Sequence, residues 1–315
     1  MSKNIEMFFA NMRIDRKSEA SIKNYGVDLK QFEKFVNEKG LDLDKDIKFI
    51  DYPILNEFKL TMINLSANTI NRKINTLKSF FKFLNKNKFI DIDVSEDLEF
   101  VKKEQQKKAF ALNKIELKNI ITTATDDINS SNIKGKRCDR FKKHRDLAIM
   151  SFLLTTGIRS SELTNLTLKD VDLETRYITV LGKGKKYRRI KISEKILNIY
   201  VDYLKERRRR LRQCEVETDI VFISYRGKKI SCKDLNCIVK KHTLNAGIDL
   251  EKASKMHTHT TRHTYATVQI EDGINIASVS QILGHKSINT TISIYTHLSD
   301  KAMEEASSNI DDLLA

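Results

Sequence analysis

The sequence has 315 residues, with 57 lysines and arginines against 42 aspartates and glutamates, which gives a formal net charge of +15 at pH 7. This length favours two domains, and the basic excess favours a polyanionic partner whose affinity falls as salt rises. No apolar run approaches the length of a membrane span, and the first residues lack the hydrophobic stretch of a signal peptide. We therefore expect an intracellular protein with reduced cysteines and no membrane partner.

Residues 1–100 are predicted to be all helical, because apolar residues recur at helical spacing and proline occurs once. Ser18 is the expected cap of one helix, Asp51 and Pro53 begin a second, and Ser66 begins a third. The second helix is predicted to turn four side chains inward: Leu55, Phe58, Met62 and Ile63. The third helix carries a longer apolar stripe: Ile70, Ile74, Leu77, Phe80, Phe81 and Leu84.

The opposite face of the third predicted helix is polar and basic. Its members are Asn68, Asn71, Arg72, Asn75, Lys78 and Lys82. Such a face is usually exposed to solvent, and in a strongly basic protein it is also suited to a nucleic acid backbone. Both interpretations are open at this point.

The middle of the chain begins with a change in composition. Residues 101–112 are predicted to be a polar, basic linker that includes Lys102 and Lys103. A helix is expected at about 114–125. The polar stretch from Asp126 to Lys143, rich in lysine and arginine, is predicted to be an inserted loop.

Two alternating, β-branched runs follow, from Arg176 to Leu181 and from Tyr187 to Ile192. They predict an antiparallel hairpin with Lys183 at its turn, next to two glycines that suit a tight connection. Residues 220–224 are predicted to add another strand.

Two clusters in the second half have more than one interpretation. The predicted helix near 194–213 ends with the basic run Arg207, Arg208, Arg209, Arg210, Leu211 and Arg212. Solvent exposure and contact with a DNA backbone are equally favoured for it. Cys232, Cys237 and His242 have the residue types of a metal site, but they fit one helix face equally well, so we predict no metal.

Six polar residues stand in distinctive local frames: Arg159, Lys183, His259, Arg262, His285 and Tyr295. Arg159 lies in TGIRSSEL, Lys183 in GKGK, His259 and Arg262 in HTTRHTYAT, His285 in LGH and Tyr295 in TTISIYTH. Their order and frames resemble the tyrosine recombinase (phage integrase) family, whose members cut and rejoin DNA through a phosphotyrosine bond. The resemblance covers most of the chain.

The resemblance implies a chemical role for each residue of the set. Tyr295 would be the nucleophile that holds the DNA covalently. Arg159 and Arg262 would stabilise charge on the non-bridging phosphate oxygens, which their planar guanidinium groups fit. Tyr265 and Tyr187 are rival tyrosines, but neither stands in the corresponding frame downstream of LGH.

The other three members of the set would handle protons. Lys183 would be the general acid for the leaving 5′-oxygen, His259 would assist proton transfer at the tyrosine, and His285 would donate a hydrogen bond to the phosphate. The cations suffice for this chemistry and the bond energy is conserved, so no metal ion or nucleotide cofactor is implied. His257 is two positions off the motif, and His263 is predicted to point elsewhere on the helix.

The resemblance also implies a fold and partners. We expect an N-terminal all-helical, SAM-like core-binding domain at 1–100, the linker at 101–112, and a mostly helical catalytic domain with a small antiparallel sheet at 113–315. Together they would form a C-shaped clamp around double-stranded DNA at a specific recombination site. The expected DNA contacts include Arg72, Lys78, Lys82, Lys102 and Lys103.

A dimer would occupy each site and a homotetramer would pair two sites. The resemblance implies that the amphipathic tail from Asp300 to Ala315 docks on a neighbouring subunit, and packing on its own domain is the alternative. We expect a cytoplasmic, nucleoid-associated protein of a prokaryote, phage or mobile element. Two alternatives are open: a type IB topoisomerase, which shares the catalytic chemistry but relaxes supercoils, and a DNA-binding regulator on the same fold without activity. The intact catalytic set argues against the second alternative, and the LGH and HTTRHTYAT frames argue against the first.

Overall fold

A computed structural model describes residues 1–102, 110–131, 137–182 and 187–284, without the side chains of residues 130, 131 and 137–139. Within these residues the fold is mostly helical with one small antiparallel sheet, as the sequence predicted. The chain divides into two compact units, Met1–Lys107 and Lys108–Ala315. Among the described residues, no helix is both long enough and apolar enough to cross a membrane.

The first unit is helical. Its α-helices are α1 (Lys3–Ile14), α2 (Glu19–Glu38), α3 (Tyr52–Leu60) and α4 (Ala67–Lys86), with a short 3-10 helix at Ile47–Phe49. The predicted caps are confirmed, because the side chains of Ser18, Asp51 and Ser66 each accept a backbone N–H from the first turn of α2, α3 and α4.

The apolar stripe of α4 forms the core of this unit. All six of its predicted members are buried, and Phe80 and Phe81 pack edge to face against each other at 5.6 Å between ring centroids. Burying such side chains stabilises the fold by about 1.5–3 kcal/mol each. The prediction for Ile63 was wrong: it is 76% exposed. Helical spacing does not apply to it, because α3 ends at Leu60 and Ile63 lies in the following turn.

The second unit combines helices with the sheet. Its α-helices are α5 (Lys114–Ser131), α6 (Arg137–Thr156), α7 (Ser160–Asn165), α8 (Glu194–Cys214), α9 (Cys232–Asn245), α10 (Leu250–Lys255), α11 (Thr258–Glu271) and α12 (Ile276–Leu283). Its strands are β1 (Val171–Asp172), β2 (Tyr177–Leu181) and β3 (Tyr187–Lys191), antiparallel in the order β1-β2-β3. The core of this unit is centred on α6, which packs against α5, α8 and α11.

The predicted hairpin is confirmed, with Tyr177 opposite Lys191 and Leu181 opposite Tyr187. The predicted strand at 220–224 was wrong. The third strand of the sheet is β1, whereas Ile220 and Ile223 form only isolated bridges outside it. Val221, Phe222 and Ile223 are fully buried, so the apolar run reflects core packing rather than strand pairing.

The predicted loop from Asp126 to Lys143 was also wrong. Helix α5 continues to Ser131, and α6 begins at Arg137. Polarity alone misled the prediction, since this stretch contains no proline and its Phe141 is buried in the core. Residues 132–136 lie outside the described residues.

The basic run at the end of α8 has a mixed environment. Arg207 is buried, and it donates hydrogen bonds to the carbonyl oxygens of Thr218, Ile220 and Val221. Neither solvent exposure nor DNA contact applies to this residue, because its guanidinium binds the chain that follows α8. Arg210 lies over the ring of Tyr225, 3.5 Å from its centroid.

Candidate active site

Arg159 lies at the N-cap of α7 and binds a carboxylate through both its backbone and its side chain. Its backbone N–H donates to Oε2 of Glu162 at 2.9 Å, and its Nη1 donates to Oε1 at 2.8 Å. Its Nη2 donates to the carbonyl oxygen of Gly284 at 3.0 Å. The side chain is 29% exposed, so these bonds fix the guanidinium while part of it faces solvent.

Arg262 lies on α11 and is buried. Its Nη1 donates to the carbonyl oxygen of Gly157 at 2.7 Å, and its Nη2 donates to that of Leu283 at 2.5 Å. Leu283 and Gly284 are consecutive residues at the C-terminal end of α12, so the two predicted arginines bind the same helix end. The structure brings Arg159 and Arg262 together there.

Gly157 allows the close approach between these elements. It has a φ of +60°, and a Cβ at this position would lie 2.6 Å from a side-chain carbon of both Leu283 and Tyr265. Gly284 has a φ of +66° and caps α12 in the left-handed conformation. The carbonyl groups at this helix end carry partial negative charge, which favours the arginines that bind there.

Sequence reasoning missed Glu162 and Arg188. Arg188 lies on β3, and its Nη1 and Nη2 each donate to one carboxylate oxygen of Glu162 at 2.7 Å. Burial by itself would raise the pKa of Glu162, but hydrogen bonds from Arg188 and from the backbone of Arg159 lower it to about 2. The carboxylate is therefore ionised and shared between two arginines.

The role of one of these two residues, Glu162, could be predicted from the sequence. Glu162 follows Arg159 by three positions, which is the spacing of a capping box at a helix start. The role of Arg188 could not, because its contact with Glu162 spans 26 positions and depends on how β3 packs.

The histidines cluster at the start of α11. His259 and His263 stack, with ring centroids 5.4 Å apart. The prediction that His263 points elsewhere was wrong, because residues four apart share a helix face. His257 is the N-cap, and its Nδ1 accepts the backbone N–H groups of His259 and Thr260 at 3.1 and 3.2 Å. Burial and the charge of Arg262 lower the pKa of His259, which favours the neutral imidazole.

The rival tyrosines have different environments. Tyr265 is buried beside Val279 and Leu283, and burial raises the pKa of its phenol, so it is a poor nucleophile for an external phosphate. Tyr187 is 71% exposed. The three remaining members of the predicted set, Lys183, His285 and Tyr295, lie outside the described residues.

Helix α4 presents part of its predicted DNA face. Arg72 is half exposed and forms an ion pair with the buried carboxylate of Asp28. Asn71, which was assigned to the same polar face, is buried and exchanges two hydrogen bonds of 2.8 Å with the backbone of Val101. The interpretation of Asn71 as a surface residue was wrong, since its amide fixes the chain after α4.

The other basic residues proposed for DNA contact are mostly at the surface. Lys78 donates to a backbone carbonyl oxygen at 2.7 Å and lies over the ring of Phe100. Lys82 and Lys102 are exposed. Lys103 lies outside the described residues. These contacts remain predictions.

The cysteine and histidine group of α9 is divided by burial. Cys232 and Cys237 are exposed, whereas His242 is buried with its Nε2 3.5 Å from Oδ2 of Asp146. Burial alone would raise the pKa of Asp146, but hydrogen bonds from His242 and Arg145 lower it overall. In the described part of the chain, no group of three or more histidine, cysteine or acidic residues could hold a metal ion.

The sequence matches two known protein-family domains. Residues 91–302 match the phage integrase family, and residues 5–88 match the phage integrase N-terminal SAM-like domain. The chain therefore belongs to the phage integrase family. It is a tyrosine recombinase by the same comparisons, because its curated relatives carry that name across nearly the whole chain.

Two relatives and two solved structures illustrate the similarity. The chain is 29% identical to tyrosine recombinase XerC of Oceanobacillus iheyensis over 311 residues, covering 96% of this chain and 93% of the relative. It is 30% identical to tyrosine recombinase XerC of Staphylococcus aureus, covering 95% and 93%. The XerH site-specific recombinase bound to palindromic difH substrate, in a post-cleavage complex, matches with a TM-score of 0.70 and 25% identity over 91% of this chain and 79% of that one.

A lambda integrase dimer bound to a COC′ core site is 14% identical with a TM-score of 0.62 over 93% and 94% of the two chains, which shows the fold alone. The similarities to XerC and XerH favour site-specific recombination over both alternatives, the topoisomerase and the inactive regulator.

Proposed function

We propose that this protein is a site-specific recombinase that cleaves and rejoins DNA strands through a 3′-phosphotyrosyl intermediate. The observation that carries the proposal is that Arg159 and Arg262 bind adjacent carbonyl groups, those of Gly284 and Leu283. Two guanidinium groups held at the C-terminal end of α12 can stabilise the oxygens of a single phosphate. His285, the next residue along the chain, would complete this cradle with a hydrogen bond.

Cleavage is a transesterification. The phenolic oxygen of Tyr295 attacks the scissile phosphorus, and its proton passes to the neutral imidazole of His259. The bond from phosphorus to the 5′-oxygen breaks, and Lys183 gives a proton to that leaving oxygen. Arg159 and Arg262 stabilise the charge that develops on the non-bridging oxygens. The products are a 3′-phosphotyrosine and a free 5′-hydroxyl.

Rejoining reverses these steps with a different strand. The 5′-hydroxyl of the partner duplex gives its proton to Lys183 and attacks the phosphotyrosine, and Tyr295 leaves and regains the proton held by His259. One phosphodiester is exchanged for another, so the reaction needs no nucleotide to supply energy. One round of exchange gives a Holliday junction, and a second round resolves it.

The substrate we propose is double-stranded DNA at a specific recombination site, as in the complexes of XerH with difH. One dimer would occupy each site, and a homotetramer would hold two sites together. Basic residues of the first unit would contact the duplex: Arg72, Lys78, Lys82, Lys102 and Lys103. In this proposal residues 1–100 are the core-binding domain, residues 101–112 are the linker and residues 113–315 are the catalytic domain.

The C-terminal tail would join neighbouring subunits. Residues 300–315 form an amphipathic stretch in the sequence, and they lie outside the described residues. Because chromosomal, plasmid and phage DNA of a prokaryote is in the cytoplasm, the enzyme would act there. Integration, excision and resolution of DNA dimers all use this chemistry, and the similarity to Xer recombinases favours a compact enzyme of that kind.

A two-stage experiment tests the proposed function. Purified protein is first incubated with a library of random duplexes, and covalent adducts are captured under denaturing conditions and sequenced to define the site. Plasmids with no copy, one copy or two copies of that site are then treated with the wild type and with Tyr295→Phe.

We expect deletion or inversion on the two-copy plasmid only, with junctions inside the site and no product from Tyr295→Phe. Relaxation of supercoils on every plasmid without any junction would overturn the proposal in favour of a topoisomerase. No adduct on any duplex would favour an inactive DNA-binding protein.

A further inference from the structure

Arg188 connects three elements around the candidate active site. It lies on β3, and its two Nη atoms hold both carboxylate oxygens of Glu162, which belongs to α7. Its Nε donates to the carbonyl oxygen of Ile282 in α12 at 2.9 Å. The side chain is 13% exposed, so these bonds form where competing water is limited.

The contacts of Arg188 and Arg159 close a ring. Glu162 also binds Arg159, whose Nη1 is 2.8 Å from the carboxylate oxygen Oε1 that Arg188 uses. Both arginines then bind the end of α12, Arg188 at Ile282 and Arg159 at Gly284. A ring of this kind fixes both the position and the rotation of the Arg159 guanidinium, which a single salt bridge would not.

We infer that Arg188 is a positioning residue that directs the Arg159 guanidinium toward the phosphate during recombination. The inference rests on the proposed function, and it adds a residue to the six predicted from the sequence. With Arg188 bound to both carboxylate oxygens, Glu162 takes one side-chain bond from Arg159 and leaves another edge of that guanidinium for a substrate. If Arg188 is lost, Arg159 is the one arginine still bound to the buried carboxylate of Glu162. Arg159 would then rotate to bind both carboxylate oxygens in place of Arg188.

Only arginine can perform this role. Lysine would keep a positive charge beside the carboxylate of Glu162. However, an ammonium group cannot make two parallel hydrogen bonds to that carboxylate and a third to the carbonyl oxygen of Ile282 in fixed directions. A displacement of about 1 Å at a reacting group costs about 100-fold in rate. We therefore expect Arg188→Lys to leave the fold and the charge in place and to slow the chemical step.

The adjacent Arg189 provides a matched control. It points to the other face of the strand, where its guanidinium lies over the ring of Tyr177 at 4.2 Å and is exposed. Arg189→Lys makes the same chemical change one position away, without touching Glu162 or α12.

The experiment compares Arg188→Lys, Arg189→Lys and the wild type on one nicked suicide duplex that carries the recombination site. Three quantities are measured for each: DNA affinity by band shift, the melting temperature, and the single-turnover rate of covalent complex formation. Arg188→Lys should bind DNA like the wild type and melt at a somewhat lower temperature, because Glu162 and Ile282 lose part of their partners. It should form the complex about 10- to 100-fold more slowly. Arg189→Lys should match the wild type in rate.

A double-mutant cycle separates positioning from a general structural role. In a protein that already carries Arg159→Lys, adding Arg188→Lys should lower the rate by less than about threefold, because the group to be positioned is gone. A structural role predicts the same loss in both backgrounds. If Arg188→Lys melts below the assay temperature, the cycle is repeated with Arg188→Gln well below its melting temperature.

Two results overturn the inference: a rate for the Arg188 variant equal to the wild type, or a loss that is fully additive with Arg159→Lys. Both leave the proposed function intact, since the wild type still forms the covalent complex. A wild type that forms no complex overturns the proposed function instead.

Discussion

His263 stacks on His259 across one turn of α11, with their ring centroids 5.4 Å apart and their planes inclined by 26°. The stack has an electrostatic consequence, because His259 disfavours a proton on His263. Burial, His259 and Arg262 together lower the pKa of His263 to about 4, from an ordinary value of 6.5. Both imidazoles are therefore neutral near pH 7, the form in which His259 can accept a proton from a tyrosine.

The first prediction concerns stability against pH. The unfolded chain binds a proton at His263 more readily than the folded protein does. The contribution of the neutral His263 to the free energy of unfolding is therefore fully present above about pH 6.5 and is lost as pH falls toward 4. His263→Phe keeps an aromatic ring beside His259 and removes the titrating group. Its melting temperature should fall less than that of the wild type between these pH values. Parallel melting curves at all pH values would show that His263 is not held neutral.

The second prediction separates the two candidate phosphate-binding arginines. Arg159→Lys and Arg262→Lys keep the charge but lose the planar fork, so DNA cleavage should fall by orders of magnitude while DNA affinity changes little. Only Arg262→Lys should also lower stability, by about 1–3 kcal/mol, because it leaves the buried carbonyl groups of Gly157 and Leu283 without their full partners.

Single-turnover cleavage and urea unfolding measure the two effects. Near wild-type cleavage by either variant would remove that arginine from the proposed mechanism. Equal stability of the two variants would contradict the buried role of Arg262.

The third prediction tests the close packing at Gly157. Gly157→Ala places a Cβ at 2.6 Å from carbons of Leu283 and Tyr265 and also strains a left-handed backbone. We expect it to cost about 3 kcal/mol in the free energy of unfolding, the sum of overpacking and backbone strain. Gly273→Ala is the control, because Gly273 has a φ of +80° with nothing within 4 Å of its Cβ position.

Gly273→Ala should cost about 1 kcal/mol, from backbone strain alone. Urea unfolding of both variants gives the difference. Equal losses would mean that α12 shifts away from Gly157 without penalty, so that its end is not tightly fixed.

The fourth prediction tests Lys183 as the general acid. A nucleotide 5′-oxygen leaves poorly unless it is protonated as its bond breaks. Lys183→Ala should be almost inactive on ordinary DNA, and it should regain most of its cleavage rate on DNA with sulfur at that bridging position, since a thiolate leaves without an acid. Arg159→Ala should stay inactive on both substrates, because its role is to stabilise charge. If sulfur restores nothing, the acid is another residue.

Local patterns predicted much of the fold. The stripe of α4 and the caps Ser18, Asp51 and Ser66 were readable because spacing and capping depend on nearby residues. The errors came from segments whose partners are distant in sequence. Residues 220–224 have a strand-like composition, yet they are buried without joining the sheet.

The candidate site shows the same division. The spacing of Glu162 from Arg159 indicates their contact, and helical periodicity indicates the stack of His263 on His259. The contacts of Arg188 and the buried position of Arg207 were not readable. Each depends on a guanidinium that reaches carbonyl or carboxylate groups brought near by the tertiary fold.

The nucleophile is the feature on which the whole mechanism depends. Tyr295→Phe removes one oxygen atom and keeps the ring, so DNA affinity should be unchanged. The measurement is a denaturing gel of each protein with nicked suicide DNA that carries its site, with Tyr187→Phe as the control at an exposed tyrosine. The wild type and the control should show the slow band of a covalent complex, and Tyr295→Phe should show none. A covalent band of undiminished intensity from Tyr295→Phe would contradict the proposed mechanism.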